Sequence, residues 1–243
     1  MNFIFDLIFP IECLGCGKQG KWLCDKCFKK LEVNSKQHCL NCKIENDFGE
    51  LCPECKKLFY LDGALAAGNY ENKLIAQLIK QYKYYFSKKI ADILSDFLLF
   101  FLRNLNSQII LLPTKKANAP EFLFKQNNYY IMPVPLHKRR LRWRGFNQAE
   151  ELAKILSKKL NIPMLLNQLS RKRHSKPQAK MNSQKRKTNI SGCFQHTGAP
   201  LDGKNIILID DVVTSGSTLN ECAKVLKEKG AKEVWGICVA WGG

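Results

Sequence analysis

The sequence predicts an α/β protein, a central, mostly parallel sheet flanked by helices, preceded by a small zinc module of the four-cysteine type. Three observations carry this. Four aliphatics, Ile206–Ile209, end in Asp210–Asp211 and are followed by a hydroxyl- and glycine-rich turn and a helical pattern over Leu219–Lys229. That order builds a pocket at the carboxyl end of a parallel strand. Eight of the 11 cysteines form four CxxC pairs before residue 56. Between these ends, helical periodicity alternates with short β-rich runs.

At 243 residues, 45% hydrophobic and 25% charged, the chain has room for one large and one small domain. We divide it as 1–58, a double zinc-ribbon module, and 59–243, the α/β domain. The most apolar region, Ile90–Leu112, is interrupted by Asp92, Asp96 and Arg103. It therefore reads as a core helix running into a strand, with no transmembrane segment expected. Met1–Pro10 contains Asp6 and no basic leader, which points away from a secretory signal and toward the cytoplasm.

The CxxC pairs are Cys13/Cys16, Cys24/Cys27, Cys39/Cys42 and Cys52/Cys55. Each pair sets two thiolates on one turn, and two turns complete a tetrahedral zinc site. The gaps within each half are seven and nine residues, short enough for each half to close its own site. One or two structural zincs are expected. Disulfides, an iron–sulfur cluster and interleaved pairing of the first and third pairs are the competing arrangements. A closed set of four thiolates leaves no position for substrate. Cys193, Cys222 and Cys238 stand in apolar surroundings and read as packing residues.

Leu58–Gly68 reads as a short strand pair around Asp62–Gly63. Glu71–Leu102 is helical, with Leu74, Ile75, Leu78, Ile79 and Tyr82 on one apolar face and Ile90, Ile93, Leu94, Phe97, Leu98 and Phe101 on another. The aromatics Tyr82, Tyr84, Tyr85 and Phe86 beside Lys83, Lys88 and Lys89 read as helix packing rather than base stacking. Pro113–Asn128 is a polar surface loop. Tyr129–Val134 is a strand, and Gln148–Leu160 is a helix with Ala149, Leu152, Ala153, Leu156 and Leu160 inward.

In the carboxyl-terminal turn, Gly216 permits close backbone approach, and Thr214, Ser215, Ser217 and Thr218 offer hydroxyls to phosphate beside the helix N-terminus. Asp210 and Asp211 are placed to bind ribose hydroxyls directly or through magnesium. Neither GxGxxG nor GxxxxGK occurs, which removes the dinucleotide and P-loop readings. The stretch from Ile206 to Thr218, Val213 included, resembles the phosphoribosyl pyrophosphate (PRPP) signature of type I phosphoribosyltransferases.

That resemblance gives a meaning to the basic segments. Leu136, His137, Lys138, Arg139 and Arg140 follow a strand, where a phosphoribosyltransferase holds the leaving pyrophosphate in a loop of amides and guanidinium groups. A third, basic loop from Arg171 through Asn189 is expected to close over PRPP and exclude water; His174 there reads as solvated. Residues 122–201 carry 17 Lys/Arg against Glu150 and Glu151 alone, within a net charge of +18. This segment reads as facing polyanions, through Arg142, Arg144, Arg171, Arg173, Ser175, Gln178, Lys185 and Arg186.

The CxxC knuckles, VPLHKRRLRWRGFNQAEELA, RKRHSKPQ with KRKTNISGCF, and ILIDDVVTSGSTL span the chain in one order. Together they resemble the ComF family of competence proteins (ComFC), also described as amidophosphoribosyltransferase-like. The resemblance implies a type I phosphoribosyltransferase fold with an N-terminal zinc-binding module, and magnesium–PRPP as ligand. It also implies a role in natural transformation, handling incoming single-stranded DNA at the cytoplasmic side of the membrane with a DNA-uptake helicase and a recombination mediator. Ser175 stands where the family usually has threonine, and 115–128 is longer and more polar than usual. Three functions follow: a phosphoribosyltransferase, a single-stranded-DNA-binding competence factor with a regulatory or vestigial PRPP site, and a zinc-dependent docking protein.

Overall fold

The computed structural model describes residues 10–84, 89–111, 128–173 and 190–242. The N-terminal module holds two cysteine clusters, a turn of helix α1 (Asp25–Phe28), the antiparallel pair β1 (Gln37–His38) and β2 (Glu45–Asn46), and α2 (Pro53–Lys56). The α/β domain follows as β3 (Gly63–Asn69), α3 (Lys73–Tyr84), α4 (Lys89–Leu111), β4 (Tyr129–Pro133), α5 (Lys138–Arg144) and α6 (Gln148–Leu160). It ends with β5 (Leu169–Arg171), β6 (Phe194–His196), β7 (Asn205–Val213), α7 (Ser217–Lys227) and β8 (Glu233–Trp241).

The central sheet is four-stranded and parallel in the order β3-β8-β7-β4. A parallel bridge from Ile131 to Met164 extends its β4 edge. Ile206–Ile209 and Val234, Ile237, Cys238 and Val239 are all at most 1% exposed, as expected of strands covered on both faces. On one face Leu65, Ile207, Ile209 and Ile237 pack with Leu78 of α3, Phe97 of α4 and Leu152 of α6. On the other, Ala64, Ala66, Ile206, Leu208 and Cys238 pack with Leu219, Cys222, Ala223 and Leu226 of α7. Cys193, Cys222 and Cys238 are buried packing residues as expected.

The cysteine module straddles edge strand β3, with Cys13 and Cys27 in the first core and Cys39, Leu40 and Cys55 in the second. Its backbone and side chains satisfy the strand's open edge. Ala64 N donates to Gly49 O, Ala66 N to Gln37 Oε1 at 2.8 Å, and Asn34 N to Ala67 O. An unpaired edge is a template for aggregation, and this cover removes it.

Two expectations are corrected. No strand pair forms around Asp62–Gly63: Asp62 N donates to Val234 O, and its carboxylate accepts from Val234 N at 2.8 Å. Asn220 Oδ1 meanwhile takes the amides of Tyr60 and Leu61, so residues 58–62 lead into a single parallel strand. The apolar run after Ile90 stays helical to Leu111 instead of passing into a strand. The helical segment expected over 71–102 is found, among the described residues, as α3 and α4. The polar loop expected at 113–128 lies outside the described residues except for Asn128.

A Cβ at Gly63 would sit 2.6 Å from Gly49 O and 2.3 Å from the Trp235 ring. Gly63→Ala is therefore expected to cost about 1–3 kcal/mol, read as a lowered Tm in thermal unfolding; an unchanged Tm would contradict this packing.

Candidate functional site

All four parallel strands deliver their carboxyl ends to one cavity of about 430 Å³. Tyr70 after β3, Val134–Leu136 after β4, Thr214 after β7 and Gly242 after β8 all line it. Strand β7 runs through the acidic pair, so Asp210 and Asp211 are strand residues and their side chains leave opposite faces of the sheet. Both reach the cavity because it wraps the strand's end.

Asp211 pairs with Lys83 of α3 at 2.9 Å. Burial pulls the Lys83 pKa down, but the Asp211 charge and hydrogen bond outweigh it and hold the ammonium above its usual range. Asp210 accepts from the Asp211 amide at 2.8 Å. Burial, then the neighbouring Asp211 charge, push its pKa up to about 7, against the pull of that amide, Lys83 and Arg171.

The RGFNQ segment is built by local rules. Gly145 takes φ 75 and returns its amide to Leu141 O, ending α5. Phe146 is buried against Tyr82, with ring centroids 5.5 Å apart. Asn147 caps α6 by accepting from Ala149 N and donates to Val134 O at 3.1 Å, tying the helix to the exit of β4. Arg144 donates to Gln148 Oε1 at 2.7 Å. Arg144 Nε and Gln148 Nε2 remain buried donors, with no acceptor among the described residues, at the cavity wall. Burial, aided by the Arg140 charge, lowers the pKa of both Arg144 and Arg171. Lys83, Arg140, Arg144 and Arg171 thus face two carboxylates across the cavity. Such a lining suits an anion carrying several charges.

Beyond β7, Gly216 takes φ 66 at the N-cap of α7, and no side chain caps that helix. Its first amides have no intrahelical acceptor. Thr214 and Thr218 line the cavity. Ser215 and Ser217 hydroxyls meet each other at 2.8 Å, and Val213 is buried.

The structure thus brings Asp210, Asp211, Thr214, Thr218, Leu136, Arg140, Arg144 and Arg171 together. The expected loop at 136–140 is a short helix from Lys138 onward, because His137 caps it by accepting from Arg139 N. Helical spacing puts Arg140 and Arg144 on the cavity side and leaves Lys138, Arg139 and Arg142 exposed. Arg171 belongs to β5 rather than to a loop, and Arg173 donates to Ser191 O. His174, Ser175, Gln178, Lys185 and Arg186 lie outside the described residues, as do Tyr85, Phe86 and Lys88. Lys83 and Tyr70 join the site unannounced by any motif, and Gln148, inside the RGFNQA run, joins it without a role assigned from the sequence. Tyr82 is buried as expected, whereas Tyr84 is 54% exposed.

The cysteines form two separate sets, Cys13/Cys16/Cys24/Cys27 and Cys39/Cys42/Cys52/Cys55, with sulfurs within 4.8 Å of one another. Pairing is sequential, not interleaved. Neighbouring sulfurs 3.7 Å apart (Cys16, Cys24) and 3.6 Å apart (Cys42, Cys52) match the edge of a tetrahedron around zinc, about 3.8 Å. Burial raises the Cys13 and Cys39 pKa values, but backbone amides aimed at their sulfurs win and bring both to about 6. Burial and neighbouring cysteines push Cys27 up to about 12. At Cys55 an Asn41 hydrogen bond resists the same push to about 12. Four cysteine sulfurs so close can all be thiolates only around a divalent cation, and each set fits one.

Fold and clusters together define a phosphoribosyltransferase-type α/β domain joined to a double zinc ribbon. The phosphoribosyl transferase domain family matches residues 147–243, and the double zinc ribbon domain family matches residues 4–57. Competence protein F of Haemophilus influenzae is 31% identical over 234 residues, 94% of this chain and 90% of that one. The chain belongs to the ComF family. DNA utilization protein YhgH of Escherichia coli is 36% identical over 110 residues, 44% of this chain and 48% of that protein. Competence protein ComFC of Bacillus subtilis is 37% identical over 111 residues, 44% of this chain and 42% of its own. Phosphoribosylpyrophosphate synthetase from Mycobacterium smegmatis overlays at TM-score 0.29 with 18% identity, over 56% of this chain and 33% of that chain. With a zinc ribbon family on two closed four-cysteine sets, the metal is structural zinc.

With Asp210 held at about 7 against 3.8 for the ordinary carboxyl, the folded chain keeps a proton between those values that the unfolded chain has lost. The contribution of Asp210 to stability therefore falls as pH rises from about 4 to 7. Asp210→Asn removes the penalty, and its Tm gain should be larger at pH 8 than at pH 4. Equal or negative changes at both pH values would contradict the burial of this carboxylate.

Proposed function

We propose that the cavity binds magnesium–PRPP and that the chain acts as a PRPP-dependent phosphoribosyltransferase or PRPP-gated factor in the handling of DNA during competence. One observation carries the reading: two β7 carboxylates, an uncapped helix entrance and four cationic side chains line a single cavity. The 214–218 turn is suited to the 5′-phosphate, Asp210 and Asp211 to the ribose hydroxyls, and Arg140, Arg144 and Arg171 to the pyrophosphate. The oxygen-only donors Asp210 and Asp211 also suit magnesium, which when bound with the ligand would screen charge between carboxylates and phosphates.

In transfer, the C1–O bond of PRPP breaks with its electron pair leaving on pyrophosphate, and an acceptor attacks C1. Arg144, its Nε without an acceptor among the described residues, and Gln148 would bind the oxygens on which that charge grows. Asp210 and Asp211 would hold the ribose hydroxyls and fix the orientation of C1. The names of the relatives, competence protein F and DNA utilization protein YhgH, support placing this chemistry in DNA uptake. On the family resemblance alone, a DNA-uptake helicase and a recombination mediator at the cytoplasmic face of the membrane are the partners proposed. Among the described residues no helix is long and apolar enough to cross a membrane. We keep the division at 58/59 as the boundary between zinc module and catalytic domain.

The test is thermal. Magnesium–PRPP at 100 times its Kd should stabilise the chain by about 2.7 kcal/mol, and Asp210→Asn with Asp211→Asn should abolish the shift. A wild-type Tm indifferent to the ligand would remove the reading.

A second reading, single-stranded DNA binding, is favoured by an exposed aromatic pair beside the cavity. Trp143 is 59% exposed, and its ring centroid lies 5.9 Å from that of Tyr84, edge to face. The exposed Lys138, Arg139 and Arg142 share its helix. Trp143→Ala should weaken oligonucleotide binding by about 1–3 kcal/mol without changing its salt slope, which belongs to the phosphates. Unaltered affinity would assign DNA elsewhere.

A further inference from the structure

The two cysteine knuckles repeat one turn and differ at a position that, in the second, reaches the 214–218 turn. In each, the residue after the second cysteine is left-handed and donates its amide to the carbonyl of the first cysteine. These are Gly17, φ 74 and 2.8 Å from Cys13 O, and Lys43, φ 66 and 3.0 Å from Cys39 O. Glycine adopts this conformation freely, whereas lysine is sterically disfavoured there. A Cβ at Gly17 would meet nothing. At Lys43 the side chain is put to use: Nζ donates to the Thr214 carbonyl at 3.2 Å and lies 4.2 Å from the Trp241 ring centroid. Trp241 ends β8 and is in register with Val213. Leu40, inside the same knuckle and 1% exposed, packs on Gly216, where a Cβ would come 2.7 Å from its Cδ1.

The second cluster therefore touches the ligand turn at both ends, at Thr214 and at the entrance of α7. The first cluster sits in the opposite core, where a Cβ at Gly15 would come 3.5 Å from Leu74 of α3. We propose that the second cysteine cluster, closed on its metal, holds the 214–217 turn in ligand-ready form through Lys43 and Leu40, while the first cluster serves only to brace the helices. Four thiolates on one ion fix the knuckle backbone. A fixed backbone lets Lys43 grip the Thr214 carbonyl without first ordering the 39–43 turn. Lys43 is a positioning residue: it acts on the ligand through the turn. The turn as a PRPP site rests on the reading above; the coupling of metal to turn does not.

The full chain, wild type and Cys42→Ser, Cys16→Ser, Lys43→Met and Lys43→Arg, is compared by metal content, by amide hydrogen exchange at 214–218 without ligand, and by calorimetry with magnesium–PRPP. Cys42→Ser and Cys16→Ser should each lose one metal, and only Cys42→Ser should speed exchange at 214–218. Lys43→Met should keep both metals yet exchange roughly tenfold faster there and bind PRPP roughly tenfold more weakly, as expected for a lost charge-assisted hydrogen bond. Lys43→Arg should restore both. Exchange at 214–218 unchanged in Cys42→Ser and Lys43→Met, or equally fast in Cys16→Ser, would overturn the proposal. A wild-type chain that binds no PRPP would overturn the ligand assignment alone, since the exchange comparison still decides the coupling.

Discussion

Two consecutive carboxylates on one parallel strand must leave opposite faces of the sheet, and each must find its own compensation. Asp211 finds the Lys83 ammonium at 2.9 Å, with the Arg144 charge nearby. Asp210 turns toward the side of Arg171 and α7, takes among the described residues the neighbouring amide, and has its pKa raised to about 7. This imbalance organises the cavity. Buried charge is tolerated where it is paired or where a ligand supplies the missing partner. Here unfilled guanidinium and amide donors stand beside a carboxylate that ionises only reluctantly. The proposed ligand, with phosphate oxygens and a hard cation, would answer both needs at once.

The rest of the molecule holds that arrangement in place. Asn147 joins α6 to β4, the Tyr82 hydroxyl donates to Gln148 O at 2.9 Å, and Phe146 packs on Tyr82. The short basic helix and the helix carrying Lys83 are thus clamped to one another. The zinc ribbons cover the β3 edge that a four-stranded sheet leaves open. They do so with one cluster in each core, so a small domain without much apolar content of its own borrows the sheet's core and is stapled by metal.

Much of this was legible because it is local. The strand Ile206–Ile209 announced itself by its aliphatic run. Helix Gln148–Leu160 fell on its expected bounds because Asn147 caps one end and left-handed Asn161 closes the other. The pairing of cysteines into sequential sets followed from short spacing. What escaped was either local chemistry misjudged or contact at a distance. The run after Leu136 looked like a loop because it is charged, yet Lys and Arg are good helix formers and His137 supplies a cap. The aliphatic run puts the carboxylates at the carboxyl end of a short strand, whereas ladder pairing with β8 carries β7 on to Val213. Lys83 was seen only as a neighbour of aromatics, because its partner Asp211 is brought to it by the order of the parallel strands and by no pattern in the sequence.

A crystal structure of the chain grown with saturating magnesium–PRPP bears most directly on the central claim. The account predicts the 5′-phosphate on the amides at the entrance of α7, ribose hydroxyls between Asp210 and Asp211, the Lys83–Asp211 pair loosened, and pyrophosphate beside Arg140, Arg144 and Arg171. Ligand bound elsewhere on the chain, with the carboxylates and the 214–218 turn untouched, would contradict it.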